Sequence, residues 1–117
     1  KLDLAILQPV DPKNLKDIQP LEQSNETIES LHTVKMIGYP AYKIGQTPYI
    51  VDAKIASIYC QSAINKFEID SLIREGNSGG PILNSNNKVI GIAAEGAEKS
   101  GGNNAALRIE MLERIKT

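Results

Sequence analysis

The sequence predicts an all-β protein, a six-stranded antiparallel barrel with a short C-terminal helix. The 117 residues suffice for one domain with a modest core and are too few for two ordinary ones. From residue 32 onward, short runs rich in Ile, Val, Ala and Tyr alternate with turn residues, which is the pattern of strands joined by tight connections. Residues 110–116 instead carry Met111, Leu112 and Ile115 at helical spacing.

The predicted strands follow one another with few residues between them. The run at 49–59 is the clearest, because it contains neither Gly nor Pro and is dominated by Ile, Val, Ala and Tyr. Turn signals separate the runs at Gly38, at Gly45, in the Asn-rich stretch 84–87 and in the Gly-rich stretch 96–104. The six strands are predicted at residues 32–39, 49–59, 63–69, 81–83, 88–94 and 105–109.

The N-terminal quarter of the chain differs from the rest. Residues 2–8 are apolar enough for a buried strand, whereas residues 9–30 hold three prolines among many polar side chains and show no sustained period. A connector of this length favours a link between two structural units. Because the chain begins inside the predicted strand and without Met, we expect it to be a piece of a longer protein.

The composition is that of an ordinary globular protein and excludes several functions. A formal net charge of −1, with no two basic residues adjacent, gives no electrostatic reason to expect nucleic acid or an anionic membrane as a partner. The longest apolar run, residues 89–94, is far too short to span a membrane. The single cysteine, Cys60, cannot form an internal disulfide and leaves the compartment open. No cluster of His, Cys and carboxylate residues has metal-ligand spacing, and we expect neither a metal nor a cofactor.

Residues 76–81, Gly-Asn-Ser-Gly-Gly-Pro, hold one serine between glycines. A serine hydroxyl is a poor nucleophile until a base takes its proton and donors stabilise the oxyanion that its attack creates. Flanking glycines permit backbone conformations that aim several N–H groups at one point, so Gly76 and Ser78 could hold a carbonyl oxygen while Ser78 Oγ attacks its carbon. The alternative is a glycine-rich hairpin with an incidental serine, which has no need of this order of residues.

This stretch resembles the nucleophile motif of the chymotrypsin-fold (trypsin-like) serine proteases, in the spelling typical of the bacterial Deg/HtrA-like branch. Other segments resemble the family in the same order along the chain. Residues 3–7 resemble the family's strand with the triad aspartate, and residues 36–40 resemble its iGYP turn. Residues 69–71 resemble the segment that enters the nucleophile loop. Residues 89–92 resemble the strand beside the substrate, and residues 106–109 resemble the last strand. The resemblance implies that residues 31–117 form the C-terminal barrel of this fold, preceded in residues 1–30 by the aspartate strand and the inter-barrel linker.

The resemblance also implies the catalytic roles. Ser78 would be the nucleophile and Asp3 the residue that orients a histidine base. The family order is His, Asp, Ser, but the one histidine here, His32, lies between Asp3 and Ser78. We therefore expect His32 to be a packing residue and the catalytic histidine to lie upstream of Lys1. Peptide hydrolysis would then belong to the longer protein, and this chain alone would be nearly inert.

Binding groups follow from the same resemblance. The oxyanion hole would consist of Gly76, Asn77 and Ser78, and the substrate pocket of Leu72, Ile73, Ala94, Glu95 and Gly96. The apolar pocket residues favour an apolar substrate side chain, whereas Glu95 could admit a basic one. Two departures concern the loop itself. Asn77 stands where many trypsin-like zymogens have Asp, and Arg74-Glu75 where Deg-like relatives usually have Asn-Pro.

Two classes of function fit these residues. The first is a serine endopeptidase whose partners are a polypeptide substrate and the missing N-terminal barrel; the second is a non-catalytic protease-like module that binds peptide or a partner in its cleft. Retention of Asp3, Gly76 and Ser78 favours the first, because a binding module has no use for a nucleophile. A barrel without its partner exposes an apolar face, so we expect self-association through that face.

Overall fold

The predicted barrel is present in the computed structural model, which describes residues 2–96 and 104–116. Within these ranges the strands are β1 (Thr33–Gly38), β2 (Tyr49–Gln61), β3 (Ile64–Ile69), β4 (Pro81–Leu83), β5 (Val89–Glu95) and β6 (Ala105–Arg108). All neighbours are antiparallel in the order β1-β2-β3-β6-β5-β4, and β4 pairs with β1 to close the barrel. The prediction of a six-stranded antiparallel barrel is confirmed.

The seam that closes the barrel is short. β4 has three residues, and its pairs with β1 in the described part of the chain are Leu83 with Lys35 and Ile82 with Met36. By comparison, β1 and β2 are paired over six positions. Residues 74–80, which we call the serine loop, lead directly into this seam.

The hairpin between β2 and β3 is tighter than predicted. The residues between the strands are Ser62 and Ala63, with φ of 53° and 64°. Two consecutive positive φ values are the requirement of a type I′ turn, whose twist matches that of the flanking strands. Such turns are usually marked by Asn or Gly, so the Ser-Ala pair gave no signal, and β2 runs on to Gln61.

The structure agrees with the sequence-based prediction at the C-terminal end of the chain and differs from it at the N-terminal end. The C-terminal helix is present as a 3-10 helix at Ile109–Arg114 with Met111 buried, and it ends two residues before the predicted boundary. Residues 2–8, predicted as a strand, pair with no strand among the described residues, and that strand stays a prediction. These residues are irregular, and Ile6 and Leu7 are exposed. An extended segment needs a neighbouring strand for its backbone groups, and the described residues supply none here.

The connector that follows is fastened to the barrel near its C-terminal end. Gln23 forms a parallel bridge with Val89 of β5, and Ser24 N–H donates to the Val89 carbonyl at 2.8 Å. The Asn86 side-chain amide donates to Glu26 Oε1 at 2.9 Å, which ties the connector to the turn between β4 and β5. Further upstream a short 3-10 helix, Pro12–Leu15, is capped by Asp11.

The barrel core is built around Phe67 of β3, which is fully buried. Alternating side chains of β1, Val34 and Met36, point into the same core. Gly91 of β5 makes room for the aromatic ring. A β-carbon at Gly91 would lie 2.5 Å from Phe67 Cε1 and 2.8 Å from the Leu107 carbonyl oxygen. Glycine is therefore required at this position by packing.

Substitution of Gly91 by Ala should lower the free energy of unfolding by about 1–3 kcal/mol, because the new methyl group overpacks the core. In the double variant with Phe67→Leu the loss should be smaller than the sum of the two single losses, since the ring atoms that the methyl group meets are removed. Urea unfolding of the three variants measures this coupling. Strictly additive losses would contradict the contact.

Candidate active site

The serine loop forms two consecutive turns. Asn77 N–H donates to the Arg74 carbonyl at 3.0 Å, and Gly80 N–H donates to the Asn77 carbonyl at 2.9 Å. The third residue of each turn is a glycine with positive φ, +95° at Gly76 and +88° at Gly79, as in type II turns. The spacing of the two glycines is explained by this geometry, because each turn needs a residue that tolerates the left-handed region.

Hydrogen bonds hold the serine loop on both sides. Gly79 N–H donates to the Ala93 carbonyl at 2.7 Å, and Ala93 N–H donates to the Gly80 carbonyl at 3.0 Å, which continues the β4–β5 ladder. On the other side, Tyr39 N–H donates to the Gly76 carbonyl at 3.0 Å. Because Tyr39 directly follows β1, the loop is fixed between β5 and the end of β1.

The loop lies against the end of β1 with backbone directly on backbone. A β-carbon at Gly76 would collide with the Tyr39 carbonyl oxygen. A β-carbon at Gly38 would collide with Asn77 Oδ1 and would lie 2.8 Å from the Gly76 carbonyl oxygen. Neither Gly38 nor Tyr39 belongs to the predicted site, and the signal that could reveal them is the Gly-Tyr-Pro turn that ends β1.

Ser78 is exposed at the centre of this loop, and its Oγ donates to the Ala94 carbonyl at 3.3 Å. Neither Gly76 N–H nor Ser78 N–H donates to another group in the part of the chain that the structure describes. Two donors without acceptors, in the same turns as an exposed hydroxyl, can bind a negatively charged oxygen. The loop therefore has the groups that an acyl-transfer nucleophile needs, apart from a base.

Asn77 is the one buried polar side chain among the described residues, with 1% of its surface exposed. Its Oδ1 atom has no hydrogen-bond partner there and packs on Gly38. An unpartnered buried acceptor costs about 1–3 kcal/mol, and an unpaired carboxylate in the same place would cost far more. A neutral amide is thus the form that this enclosed position tolerates without a cation.

The predicted pocket residues before the loop occupy different environments. The Ile73 side chain is buried in the barrel core cluster, and its N–H donates to Asn104 Oδ1 at 2.9 Å. Leu72 is half-buried. Gly96 packs on the backbone of Ile73, because a β-carbon at Gly96 would collide with the Ile73 carbonyl oxygen. Ile73 and Gly96 are thus brought together through their backbones.

The remaining predicted pocket residues, Ala94 and Glu95, lie at the end of β5. The Ala94 carbonyl accepts from Ser78 Oγ, as described above. Glu95 Oε1 accepts from Lys66 Nζ of β3 at 3.3 Å, and the Lys66 side chain is only 12% exposed. The Glu95 carboxylate is therefore engaged with β3, which is separated from β5 by β6 in the order of strands.

Asp3 and His32 are not brought to the serine loop by contacts of the described residues. Asp3 is exposed in the irregular N-terminal segment and has no hydrogen bond or ion pair within residues 2–96 and 104–116. The His32 imidazole is half-exposed, with Nε2 3.6 Å from Glu29 Oε2. His32 lies just before β1, whereas Gly38, which touches the serine loop, is the last residue of β1. In an extended strand these two residues are about 20 Å apart.

The closed six-stranded barrel and its serine loop are those of a trypsin-like peptidase domain. Residues 1–92 match the family model described as the trypsin-like peptidase domain, and the chain belongs to that family. The periplasmic serine endoprotease DegP of Salmonella typhimurium is 35% identical over 107 residues, and DegP of Escherichia coli is 34% identical over the same length. Each alignment covers 86% of this chain and 21% of the relative. The chain thus spans about a fifth of the length of these curated relatives.

Solved structures give the same result for the fold. The HtrA-type protease AlgW, determined with a decapeptide, superimposes with a TM-score of 0.70 over 85% of this chain and 32% of its own, at 19% sequence identity. The family match and the DegP alignments confirm the resemblance to the Deg/HtrA-like branch. In the ranges 2–96 and 104–116, no helix has the length and apolar character needed to cross a membrane. The same ranges contain no group of three or more His, Cys, Asp or Glu residues that could hold a metal ion.

Gly76→Ala and Gly79→Ala form a matched pair that tests the contact with β1. Both glycines have positive φ, but a β-carbon at Gly79 would have no neighbour within 4 Å. Gly79→Ala should lower the free energy of unfolding by about 1–2 kcal/mol, the cost of a left-handed residue. Gly76→Ala should cost about 1–3 kcal/mol more, because the new atom also meets the Tyr39 carbonyl. Equal losses in urea unfolding would rule out that contact.

Tyr59 of β2 should make the fold less stable at alkaline pH. Burial raises the pKa of the Tyr59 phenol above its ordinary 10.0, and the Glu68 and Glu95 carboxylates raise it further. Above pH 10 the unfolded chain ionises first, so the stability present below this pH is lost as pH rises through the folded pKa. Tyr59→Phe should remove one tyrosinate from the absorbance titration and weaken this loss of stability, and Glu95→Gln should lower the pKa of Tyr59. An unchanged titration in Tyr59→Phe would contradict the assignment.

Proposed function

We propose that this chain is the C-terminal barrel of a serine endopeptidase in which Ser78 attacks the peptide carbonyl. The observation that carries the proposal is the pair of glycine turns around Ser78, which leave an exposed hydroxyl together with two N–H groups that have no acceptor among the described residues. Membership of the trypsin-like peptidase family supports the same reaction. In this proposal Gly76 N–H and Ser78 N–H stabilise the oxyanion. Asn77 was predicted as a third member of the oxyanion hole, but its N–H donates to the Arg74 carbonyl, and its role here is to hold the loop in place.

The base must come from outside the described barrel. Ser78 Oγ here donates to a carbonyl oxygen, which cannot act as a base at neutral pH. A general base must approach to about 2.6–3.2 Å of the proton that it removes, and His32 lies at the far end of β1. We therefore assign the base to a histidine of another segment and its orientation to Asp3. Serine, histidine and aspartate would then act as a triad.

A polypeptide substrate is proposed to bind along the end of β5. β4 pairs with β5 as far as Pro81 opposite Ile92, and β5 continues beyond this point to Glu95. The backbone after Ala93 consequently has no β4 partner beside Ser78, and an extended peptide can add to it as a further strand. The solved relative AlgW was determined with a decapeptide, which supports a polypeptide ligand.

A second barrel is proposed to cover the N-terminal segment, in line with the greater length of the curated relatives. Residues 1–30 would form the strand and linker that join the two barrels, and 31–117 the C-terminal barrel. The exposed apolar side chains of that linker support this division, because they need a covering surface. They are Ile6, Leu7, Val10, Leu15, Ile18 and Leu21. In the isolated chain the same face would drive self-association.

The proposed function is tested in the full-length protein. Ser78→Ala should abolish peptide hydrolysis with little change in stability, because an exposed hydroxyl contributes little packing. Asp3→Asn should lower kcat by about 10⁴-fold, because an amide favours the wrong histidine tautomer. His32→Ala is the matched control and should leave kcat within about twofold, because surface substitutions away from the site have small effects.

Fluorophosphonate labelling separates the two classes of function. The full-length protein should label at Ser78, whereas the 117-residue chain should label poorly for want of a base. A full-length protein that binds peptides but neither labels nor hydrolyses them would instead be a non-catalytic binding module. Loss of activity in His32→Ala with normal folding would overturn the assignment of the base.

A further inference from the structure

An aromatic pocket lies in the loop between β1 and β2. Tyr39, Tyr42 and Gln46 line a cavity of about 420 Å³. The rings of Tyr39 and Tyr42 meet edge to face, with centroids 5.3 Å apart and an interplanar angle of 82°. Both rings are about half exposed. Tyrosine combines a large apolar face with a polar tip, and exposed tyrosines gathered around one cavity are typical of surfaces that bind another polypeptide.

The pocket is held in shape by hydrogen bonds of its own loop. Gly45 N–H donates to the Tyr42 hydroxyl at 3.3 Å, and Lys43 N–H donates to Gln46 Oε1 at 3.0 Å. Gln46 N–H in turn donates to the Lys43 carbonyl at 2.9 Å. Because Tyr42 and Gln46 are fixed before any ligand arrives, a ligand would lose little affinity to the ordering of the loop.

One wall of the pocket is bonded to the serine loop. Tyr39 N–H donates to the Gly76 carbonyl, two residues before Ser78. The opposite side of the serine loop is bonded to β5 through Gly79 and Ala93. Ser78 therefore lies between β5 and the tyrosine pocket. If the acyl side of the polypeptide runs along β5, its leaving-group side continues past Ser78 on the side of the serine loop that is bonded to Tyr39.

We propose that the pocket formed by Tyr39, Tyr42 and Gln46 is a specificity subsite for the leaving-group side of the polypeptide substrate, and that it takes an aromatic or large apolar side chain. The subsite rests on the proposed peptidase function, since its place is defined by the direction of the substrate across Ser78. The lining carries no ionisable group that is charged at neutral pH, so it favours an uncharged occupant. Burial of such a side chain should raise kcat/KM roughly 10–100-fold.

The experiment uses the full-length protein and peptides that share one acyl side. Phe is compared with Gly at each of the first three positions after the scissile bond, and an ester with the same acyl side but no leaving-group peptide reports the chemistry of Ser78 alone. At one position Phe should raise kcat/KM by at least about tenfold over Gly. Tyr42→Ala should reduce that preference to about twofold or less. Tyr49→Ala is the matched control, because Tyr49 is equally exposed but does not line the pocket, and it should keep the preference.

The outcomes separate the subsite from the function on which it rests. Retention of the Phe preference in Tyr42→Ala, or its absence at all three positions in the unaltered protein, overturns the subsite while ester hydrolysis still supports the peptidase. If the unaltered protein neither hydrolyses the ester nor labels at Ser78, the peptidase function fails and the subsite fails with it. Should Tyr42→Ala lose ester hydrolysis through misfolding, Gln46→Ala decides the question by the same ratio of Phe to Gly rates.

Discussion

The site depends on the direct contact between the serine loop and the end of β1. A β-carbon at Gly38 or at Gly76 would collide with the opposing chain segment. The backbones of the two segments are therefore in direct van der Waals contact. This contact sets the position of the first turn, and the ladder with β5 sets that of the second. The conformation at Ser78 is consequently a property of the barrel as a whole and does not depend on the serine.

The burial of Asn77 follows from the same contact. A side chain enclosed this tightly, with an acceptor that lacks a partner among the described residues, is stable as a neutral amide and would be very unfavourable as a carboxylate. The amide therefore suits a loop that takes up its shape without a charged group to neutralise. In electrostatic terms, no buried charge has to be neutralised at Asn77 for the loop to take up this shape.

Much of the barrel could be predicted because strand periodicity and turn residues are local signals. Tyr49–Gln61 and the Gly-rich serine loop were recognisable for that reason. What escaped prediction depends on contacts between distant segments. Ile73 was predicted to line the substrate pocket, yet its side chain joins the core, because Asn104, just before β6, and Gly96, just after β5, hold its backbone. Residues 2–8 carry a strand pattern whose pairing partner is not among the described residues.

The short seam between β4 and β1 has a consequence for how the protein loses its shape. A barrel opens most readily where the fewest ladder bonds must break at once, and here that place immediately follows the serine loop. Local opening there would release one anchor of the loop while β2, β3, β5 and β6 keep the core closed. On heating, we expect the serine loop to lose its anchor on β1 before the other strands of the barrel separate.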